Sequence, residues 1–215
     1  MDNLLFQLGS VHLPVYNGFS KDDTLLFNMH GDYTYLTEGY YRSLDAQMTE
    51  KTILPTVEQI LDAYVVPLAM EKAKMHNLPV PEYKIVNDHV GVATPAIAYP
   101  INPFSDKFEL IVNPEEVIPK IKTVTRLSKY AAIVQTLPDD DYRIDTLRCI
   151  LGKTLAREYE DFAWQIFTTF GIPLMKVKVI VTKSSYLFSS IGPFELNQLT
   201  INEKRMIEGM GTWQK

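Results

Sequence analysis

The stretch TLLFNMHGDYTYLTEGYYRS, residues 24–43, joins an apolar run to a tyrosine-rich segment near the start of the chain. Its apolar opening, TLLFNM, is typical of a β-strand. The segment YTYLTEGYYRS, residues 33–43, follows with four tyrosines, one glycine and one arginine. Thr37 is a good N-cap residue, and the next apolar positions have helical spacing (Tyr40, Tyr41, Leu44 and Met48). The stretch therefore predicts a strand, a loop and a helix from about Thr37 to Gln47.

The junction between this strand and this helix is a candidate binding site. Unpaired backbone N–H groups and the helix dipole favour an anion or carboxylate at such a junction. Gly39 in the first turn costs about 1 kcal/mol relative to alanine, so close packing or an approaching ligand should compensate. The predicted ligand-binding residues are Asn28, Tyr33, Tyr35, Gly39, Tyr40, Tyr41, Arg42 and Ser43. The alternative is that the tyrosines only pack the helix onto a sheet.

The remaining N-terminal half predicts short strands and capped helices. Apolar runs predict strands near Leu4–Leu8 and Val11–Tyr16, separated from the next strand by Asn17 and Gly18. Thr56 and Gln59 form a capping box that opens a helix. Pro67 should kink or divide that helix, because proline lacks a backbone donor, and a second helical part runs to His76.

The middle of the chain gives weaker signals. Residues 83–99 and the run Phe108–Val112 suit short strands. Residues 115–137 are ambiguous, with helical spacing at first and a strand-like AAIVQTL at the end. Asp139–Asp141 predict an exposed turn without the spacing of a calcium loop, and a substructure boundary near 138–142.

The C-terminal third gives the clearest pattern. Leu147, Cys149 and Leu151 alternate as in a strand that Gly152 ends. An amphipathic helix ends at Gly171 with Pro173 beyond it, and its apolar stripe is Tyr159, Phe162, Ala163, Ile166, Phe167 and Phe170. LMKVKVIVT and YLFSSI predict a hairpin. Thr200 and Glu203 form a second capping box, opening a helix to about Gly209.

These patterns together predict an α+β fold. We expect a mixed sheet with amphipathic helices packed on it, a C-terminal helix–hairpin–helix segment, and a single domain over residues 1–215. The motif LGKT at Leu151–Thr154 predicts a turn between strand and helix. It is not a phosphate loop, because Leu147 stands where that loop requires glycine.

Composition excludes several classes of protein. A net charge of −5 and a pI near 5.4 argue against nucleic-acid binding and against binding to an anionic membrane. The single cysteine, Cys149, excludes an internal disulfide and zinc sites built from several thiolates, and the four histidines lack metal-ligand spacing. We predict no metal and no cofactor, a buried inert thiol at Cys149, and a soluble cytoplasmic protein without a leader or membrane span.

The run FNMHGDYTYLTEGYYRSLDAQMTEKTILPTVEQI, residues 27–60, resembles the RimK-like ATP-grasp N-terminal domain family, an α+β module usually fused ahead of an amide ligase. The C-terminal third is similar to the same family, in LGKT, FGIPLMKVKV and SIGPFELNQLTINEKRM, whereas Leu78–Asp141 match weakly. Gly31 and Thr34 replace expected basic residues, and Gln47–Lys51 replace an Ala-Arg-Gly turn. The matching N-terminal positions are Asn28, Tyr33, Tyr35, Leu36, Gly39, Tyr40, Tyr41, Ser43, Leu44, Pro55 and Val57.

The resemblance implies an accessory or recognition module without the ATP-grasp catalytic region. Such a module would act in trans or alone, and would recognise an amide ligase or a peptide or amino-acid-like ligand. One alternative is a small enzyme whose site uses Tyr33, Tyr40, Tyr41 and Arg42. Another is a purely structural module that forms a homo-oligomer.

Overall fold

The computed structural model describes residues 5–8, 11–14, 17–19, 24–101, 107–138 and 141–209. The chain divides into two compact units. Unit 1 comprises Met1–Leu61, Leu147–Lys176 and Pro193–Lys215, and unit 2 comprises Asp62–Thr146 and Val177–Gly192. Helices and mixed sheets confirm the α+β class. The single-domain organisation and the boundary near 138–142 stay predictions.

The first strands of unit 1 form two small sheets. Strands β1 (Leu5–Leu8) and β2 (Val11–Pro14) pair antiparallel. β3 (Asn17–Phe19) pairs antiparallel with β4 (Thr24–Phe27). The prediction that Asn17 and Gly18 only separate strands is wrong; a short strand at the edge of its sheet tolerates glycine. The predicted strand ends Leu4 and Tyr16, and residues 139 and 140 of the predicted acidic turn, lie outside the described residues.

Residues 24–54 fold as a parallel β–α–β unit. Helix α1 (Glu38–Met48) follows β4 and leads to β5 (Ile53–Leu54), which pairs parallel with β4. The ladder includes bonds from Leu26 N to Thr52 O and from Asn28 N to Leu54 O, both 2.8 Å. A parallel pair requires such a crossover, which carries the chain across the sheet. The crossover therefore brings the start of α1 close to the end of β4.

The next two helices lie in the region where the sequence predicts helix. α2 (Val57–Tyr64) opens with the predicted capping box, in which Thr56 N donates to Gln59 Oε1 and Gln59 N to Thr56 Oγ1. α3 (Val66–Met75) carries Pro67 in its first turn. Proline is tolerated there because the first N–H groups of a helix have no intrahelical acceptor. Pro67 thus lies at a division between two helices, which is one of the two outcomes predicted for it.

Unit 2 contains a four-stranded antiparallel sheet covered by a helix. Its elements are β6 (Tyr83–Val86), β7 (Ala96–Pro100), β8 (Glu109–Ile111), α4 (Val117–Val124) and β9 (Ala132–Thr136), with strand order β6-β9-β7-β8. The ambiguous segment 115–137 is thus a helix followed by a strand. Both belong to one buried cluster, made by Ala96, Ala98, Ile111, Val117, Ile121, Val124, Ala132 and Val134.

A buried polar network in unit 2 joins residues of β7, β9 and β12. Gln135 is fully buried; its Nε2 donates to Ser189 O at 2.8 Å, and its Oε1 accepts from Ser189 Oγ at 2.6 Å. Tyr99 OH lies 2.8 Å from the same hydroxyl. Burial raises the pKa of Tyr99 to about 12, so it stays neutral. The network is internally satisfied and contributes to the core of unit 2.

The last third of the chain follows its predicted order. The elements are β10 (Arg143–Ile150), α5 (Glu160–Phe170), β11 (Leu174–Val181), β12 (Tyr186–Gly192) and α6 (Ile201–Gly209), and the sheet order is β10-β11-β12. Gly171, with φ of +67°, caps α5. LGKT forms a tight turn in which Ile150 and Lys153 exchange backbone hydrogen bonds. Cys149 is buried, and burial raises its pKa to about 12, which makes the thiol inert.

The core of unit 1 joins its distant segments. Met29 follows β4, Ile150 ends β10, Leu174 begins β11, and Ile207 belongs to α6. The same buried cluster includes Phe194, Leu196 and Leu199. Segments far apart in sequence therefore fix the position of the candidate site. None of the helices that the structure describes is long and apolar enough to cross a bilayer.

Candidate functional site

Asn28 connects the end of β4 to α1. Its side chain is 2% exposed, and Nδ2 donates to Gly39 O at 2.8 Å and to Ser43 Oγ at 3.0 Å. Its Oδ1 accepts from His30 N at 3.2 Å. A buried amide with all of these partners holds the loop and two turns of the helix in one arrangement.

Tyr33 reinforces the same junction from within the core. Its hydroxyl donates to the carbonyl of Asn28 at 2.5 Å, and the side chain is fully buried. Burial raises the pKa of Tyr33 far above its usual value, so the phenol stays protonated. Tyr33 therefore acts as a hydrogen-bond donor inside the protein.

Two glycines allow the backbone to pack closely here. A Cβ on Gly39 would lie 2.2 Å from the carbonyl oxygen of Asp32. A Cβ on Gly31, whose φ is +87°, would lie 2.1 Å from the carbonyl oxygen of Phe194. Close backbone packing thus explains Gly39 in a helical first turn, where its conformational cost needed compensation.

Thr37 caps α1, as predicted. Its Oγ1 accepts from Tyr40 N at 3.4 Å and donates to Thr34 O at 2.7 Å. One of the free donors of the first turn is therefore satisfied within the protein.

Three tyrosines form an aromatic surface at the start of α1, which we call the aromatic ridge: Tyr35, Tyr40 and Tyr41. Tyr40 is buried in the middle, whereas Tyr35 is 41% and Tyr41 50% exposed. The rings of Tyr35 and Tyr40 meet edge to face with centroids 5.1 Å apart, and those of Tyr40 and Tyr41 at 5.7 Å. Such contacts restrict the rings, so the exposed edges are held in place.

Arg42 lies beside the ridge in an ion pair. Its guanidinium donates to Glu38 Oε1, with Nε at 2.9 Å, and His30 Nε2 lies 3.7 Å from Glu38 Oε2. The hydrogen bond from Arg42, more than any other cause, lowers the pKa of Glu38. The ridge is therefore bordered by a charged pair at the surface.

The eight predicted residues thus separate into an inner and an outer group. Asn28, Tyr33, Gly39 and Ser43 make internal contacts, whereas the ridge and Arg42 face outward in whole or in part. Sequence reasoning missed Phe194, whose N donates to Gly31 O at 3.0 Å, since no local pattern connects the two. Within the described ranges, no three His, Cys, Asp or Glu side chains lie close enough to hold a metal ion.

Known structures share this fold. The crystal structure of D-alanine–D-alanine ligase from Helicobacter pylori aligns with 96% of this chain and 75% of its own, at a TM-score of 0.60 and 12% identity. A RimK domain ATP-grasp protein from Sphaerobacter thermophilus aligns with 79% of this chain and 71% of its own, at 0.56 and 11%. The ATP-grasp ligase PsnB, complexed with precursor peptide PsnA2 and AMPPNP, aligns with 72% of this chain, at 0.51 and 13%.

These likenesses concern the fold alone. The chain spans 58% of the PsnB chain. No curated protein matches the sequence significantly. The sequence does match the RimK-like ATP-grasp N-terminal domain over residues 13–88 and 112–209, which include the whole candidate site. With most of its length matched, the chain belongs to the RimK-like ATP-grasp N-terminal domain family.

Proposed function

We propose that this chain is a recognition module for ATP-grasp amide ligation. It acts in trans with a ligase or alone, and its aromatic ridge binds the ligase or a peptide or amino-acid-like ligand. The observation that carries this proposal is the pair of half-exposed tyrosines, Tyr35 and Tyr41, fixed against buried Tyr40.

The ridge has the chemistry of a binding surface. Tyrosine is enriched at the energetic centre of interfaces, because it offers a large apolar area and a polar tip. Here the rings are already ordered by one another and by the Asn28 junction, so binding would cost little side-chain entropy. The ion pair of Arg42 and Glu38 supplies a polar border.

Backbone strain supports the same location. Leu36, between the tyrosines, has a φ of +71° and is 55% exposed. A leucine in this left-handed conformation costs free energy, and strain of this kind concentrates at binding sites. Family membership and the ATP-grasp ligases among the structural neighbours support ligation as the setting. Peptide recognition draws support from PsnB, which was solved with its precursor peptide.

The test is co-purification from the native host. We expect the tagged chain to recover an ATP-grasp or related amide ligase, identified by mass spectrometry. Tyr41→Ala and Tyr35→Ala should reduce this recovery by about tenfold or more, as for hot-spot residues, and leave the urea midpoint nearly unchanged. Tyr130→Ala is the matched control, since Tyr130 is a 44% exposed tyrosine in unit 2.

Two results would contradict the proposal. Repeated recovery of no ligase would count against a role in ligation. Equal recovery by the ridge variants and the control would show that the ridge does not bind. If the ridge variants instead convert an oligomer to a monomer in size-exclusion chromatography, the oligomerising alternative is favoured. The cytoplasmic location stays a proposal.

A further inference from the structure

Two cations of unit 1 lie over the same aromatic ring. The ring of Phe194 is buried in the core of the unit. The guanidinium carbon of Arg148 lies 4.3 Å from its centroid, and the ammonium nitrogen of Lys176 lies 5.9 Å from it. Both cations therefore lie within 6 Å of one ring centroid, and they belong to the neighbouring strands β10 and β11.

One carboxylate, that of Glu203, pairs with Arg148 through a single oxygen. Glu203 Oε2 accepts from Arg148 Nη2 at 2.7 Å, and from Thr200 N and Thr200 Oγ1 at 2.8 Å each. Arg148 Nη2 also donates to the carbonyl of Gln198. These bonds compensate the charge of Arg148 and cap α6. Lys176 forms no ion pair with any residue that the structure describes.

Donors remain at both cations. Nη2 makes all the hydrogen bonds of Arg148 to described residues, and Nε is buried without an acceptor among them. The Arg148 side chain is 33% exposed, and its Nη1 donates to none of the described residues. Lys176 is half-buried, and its ammonium group carries donors of its own. Neighbouring like charges that are partly removed from water repel each other unless an anion lies between them.

We propose that Arg148 and Lys176 form a binding site for one oxyanion, a carboxylate or a phosphate group, with Phe194 beneath it. Guanidinium and ammonium groups together give short, charge-assisted hydrogen bonds to such anions. Gly31, whose carbonyl accepts from the backbone of Phe194, connects this site to the loop that precedes the aromatic ridge. The site is independent of the proposed function, because neither cation belongs to the ridge.

Anion-dependent stability of the full chain tests the proposal. Urea unfolding is followed at neutral pH in sodium phosphate, sodium acetate and sodium chloride at equal ionic strength. A ligand that binds the folded state raises the ratio of folded to unfolded protein by 1 + [L]/Kd, about elevenfold at ten times Kd. We expect this rise in phosphate or in acetate relative to chloride. The arm with the larger rise identifies the preferred oxyanion.

Substitutions locate the effect. Lys176→Gln should abolish the rise and, in chloride, should leave the midpoint equal or higher, because it removes a repulsion. Lys176→Arg should retain the rise. Lys129→Gln is the matched control and should also retain it, because Lys129 lies 5.4 Å from the ring centroid of Tyr130 in unit 2. An undiminished rise in Lys176→Gln, or no rise in either arm with the wild-type chain, overturns the proposal.

Discussion

Asn28 shows how one side chain can determine the geometry of the whole candidate site. It connects the loop to α1 at Gly39 and Ser43 from a position that is 2% exposed. Asn28→Ala would leave the carbonyl of Gly39 and the buried hydroxyl of Ser43 without this donor. Unmet buried groups cost about 1–3 kcal/mol each, so we expect a loss of about 2–4 kcal/mol in unfolding free energy.

Urea denaturation measures this loss, and Asn87→Ala is the control because Asn87 is exposed. A loss below about 1 kcal/mol for Asn28→Ala would show that the junction tolerates rearrangement. Because Asn28 holds helix α1, which carries Tyr40 and Tyr41 of the ridge, we also expect weaker ligase recovery from the variant.

Gly39 gives a second prediction at the residue scale, because propensity and packing oppose each other there. Alanine is favoured over glycine in a helix by about 1 kcal/mol. Its Cβ would lie 2.2 Å from a backbone oxygen, so the loop would have to move. We expect Gly39→Ala to lower the melting temperature. Gly209→Ala in α6 should not lower it, because no atom of the described part of the chain lies within 4 Å of that Cβ.

The sequence identified these residues, but not what they contact. The sequence predicted that close packing or a ligand compensates for the cost of glycine at position 39. The structure shows close packing against the carbonyl of Asp32. Hydrogen bonds such as the one from Asn28 to Ser43 require both elements to be placed first, so local pattern does not specify them. Ligand binding by the eight residues stays a prediction.

At the scale of the helices and their caps, the carboxylate of Glu116 should make stability depend on pH. Glu116, at the start of α4, accepts from Lys120 Nζ at 2.7 Å, from Val112 N at 2.8 Å and from Asn113 N at 3.1 Å. The Lys120 hydrogen bond, with the two backbone donors, lowers the pKa of Glu116 to about 2. The folded state therefore prefers the charged form more strongly than the unfolded state does.

Because its pKa is lowered on folding, Glu116 stabilises the protein at pH values above 4.5, its pKa in the unfolded chain. This contribution is lost as the pH falls through about 2. When the pH is lowered from about 6 to about 3, we expect the Glu116→Gln variant to lose less stability than the wild-type chain does. Urea midpoints at each pH measure this loss. Glu115→Gln, an exposed neighbour, is the control and should follow the wild-type profile. Identical profiles for all three chains would contradict the role of Glu116.

All the helices except α4, which lies in the ambiguous segment 115–137, were predictable because their signals are local. Both capping boxes, at Thr56 with Gln59 and at Thr200 with Glu203, form as the spacing indicated. The short strands β3 and β5 were not predicted as strands. Elements of two or three residues carry almost no periodicity, and their pairing with β4 depends on partners elsewhere in the chain.

At the scale of the whole molecule, the chain passes between its two units several times. Unit 1 takes three segments of sequence and unit 2 takes two. Sequence patterns identify elements one at a time, and they do not reveal which distant segments form one core. The substructure boundary near 138–142 stays a prediction, and the unit limits fall at residues 61, 146, 176 and 192.

Interleaved segments predict that the two units unfold together. The segments that form the core of unit 1 are separated in sequence by segments of unit 2. Folding of one core therefore constrains the chain of the other unit, which favours a single cooperative transition. Trp164 reports on unit 1 once Trp213, the other tryptophan, is replaced in a Trp213→Phe background. Far-UV circular dichroism reports on the helices of both units. We expect the two probes to give the same urea midpoint.

A substitution in unit 2 makes this test decisive. Gln135→Ala removes the buried amide that bonds Ser189, and its unmet partners should cost about 2–4 kcal/mol. If the chain is one domain, the fluorescence midpoint of Trp164 shifts by the same amount as the circular dichroism midpoint, although the substitution lies in the other unit. If the units are separate domains, fluorescence keeps its wild-type midpoint and circular dichroism shows two transitions.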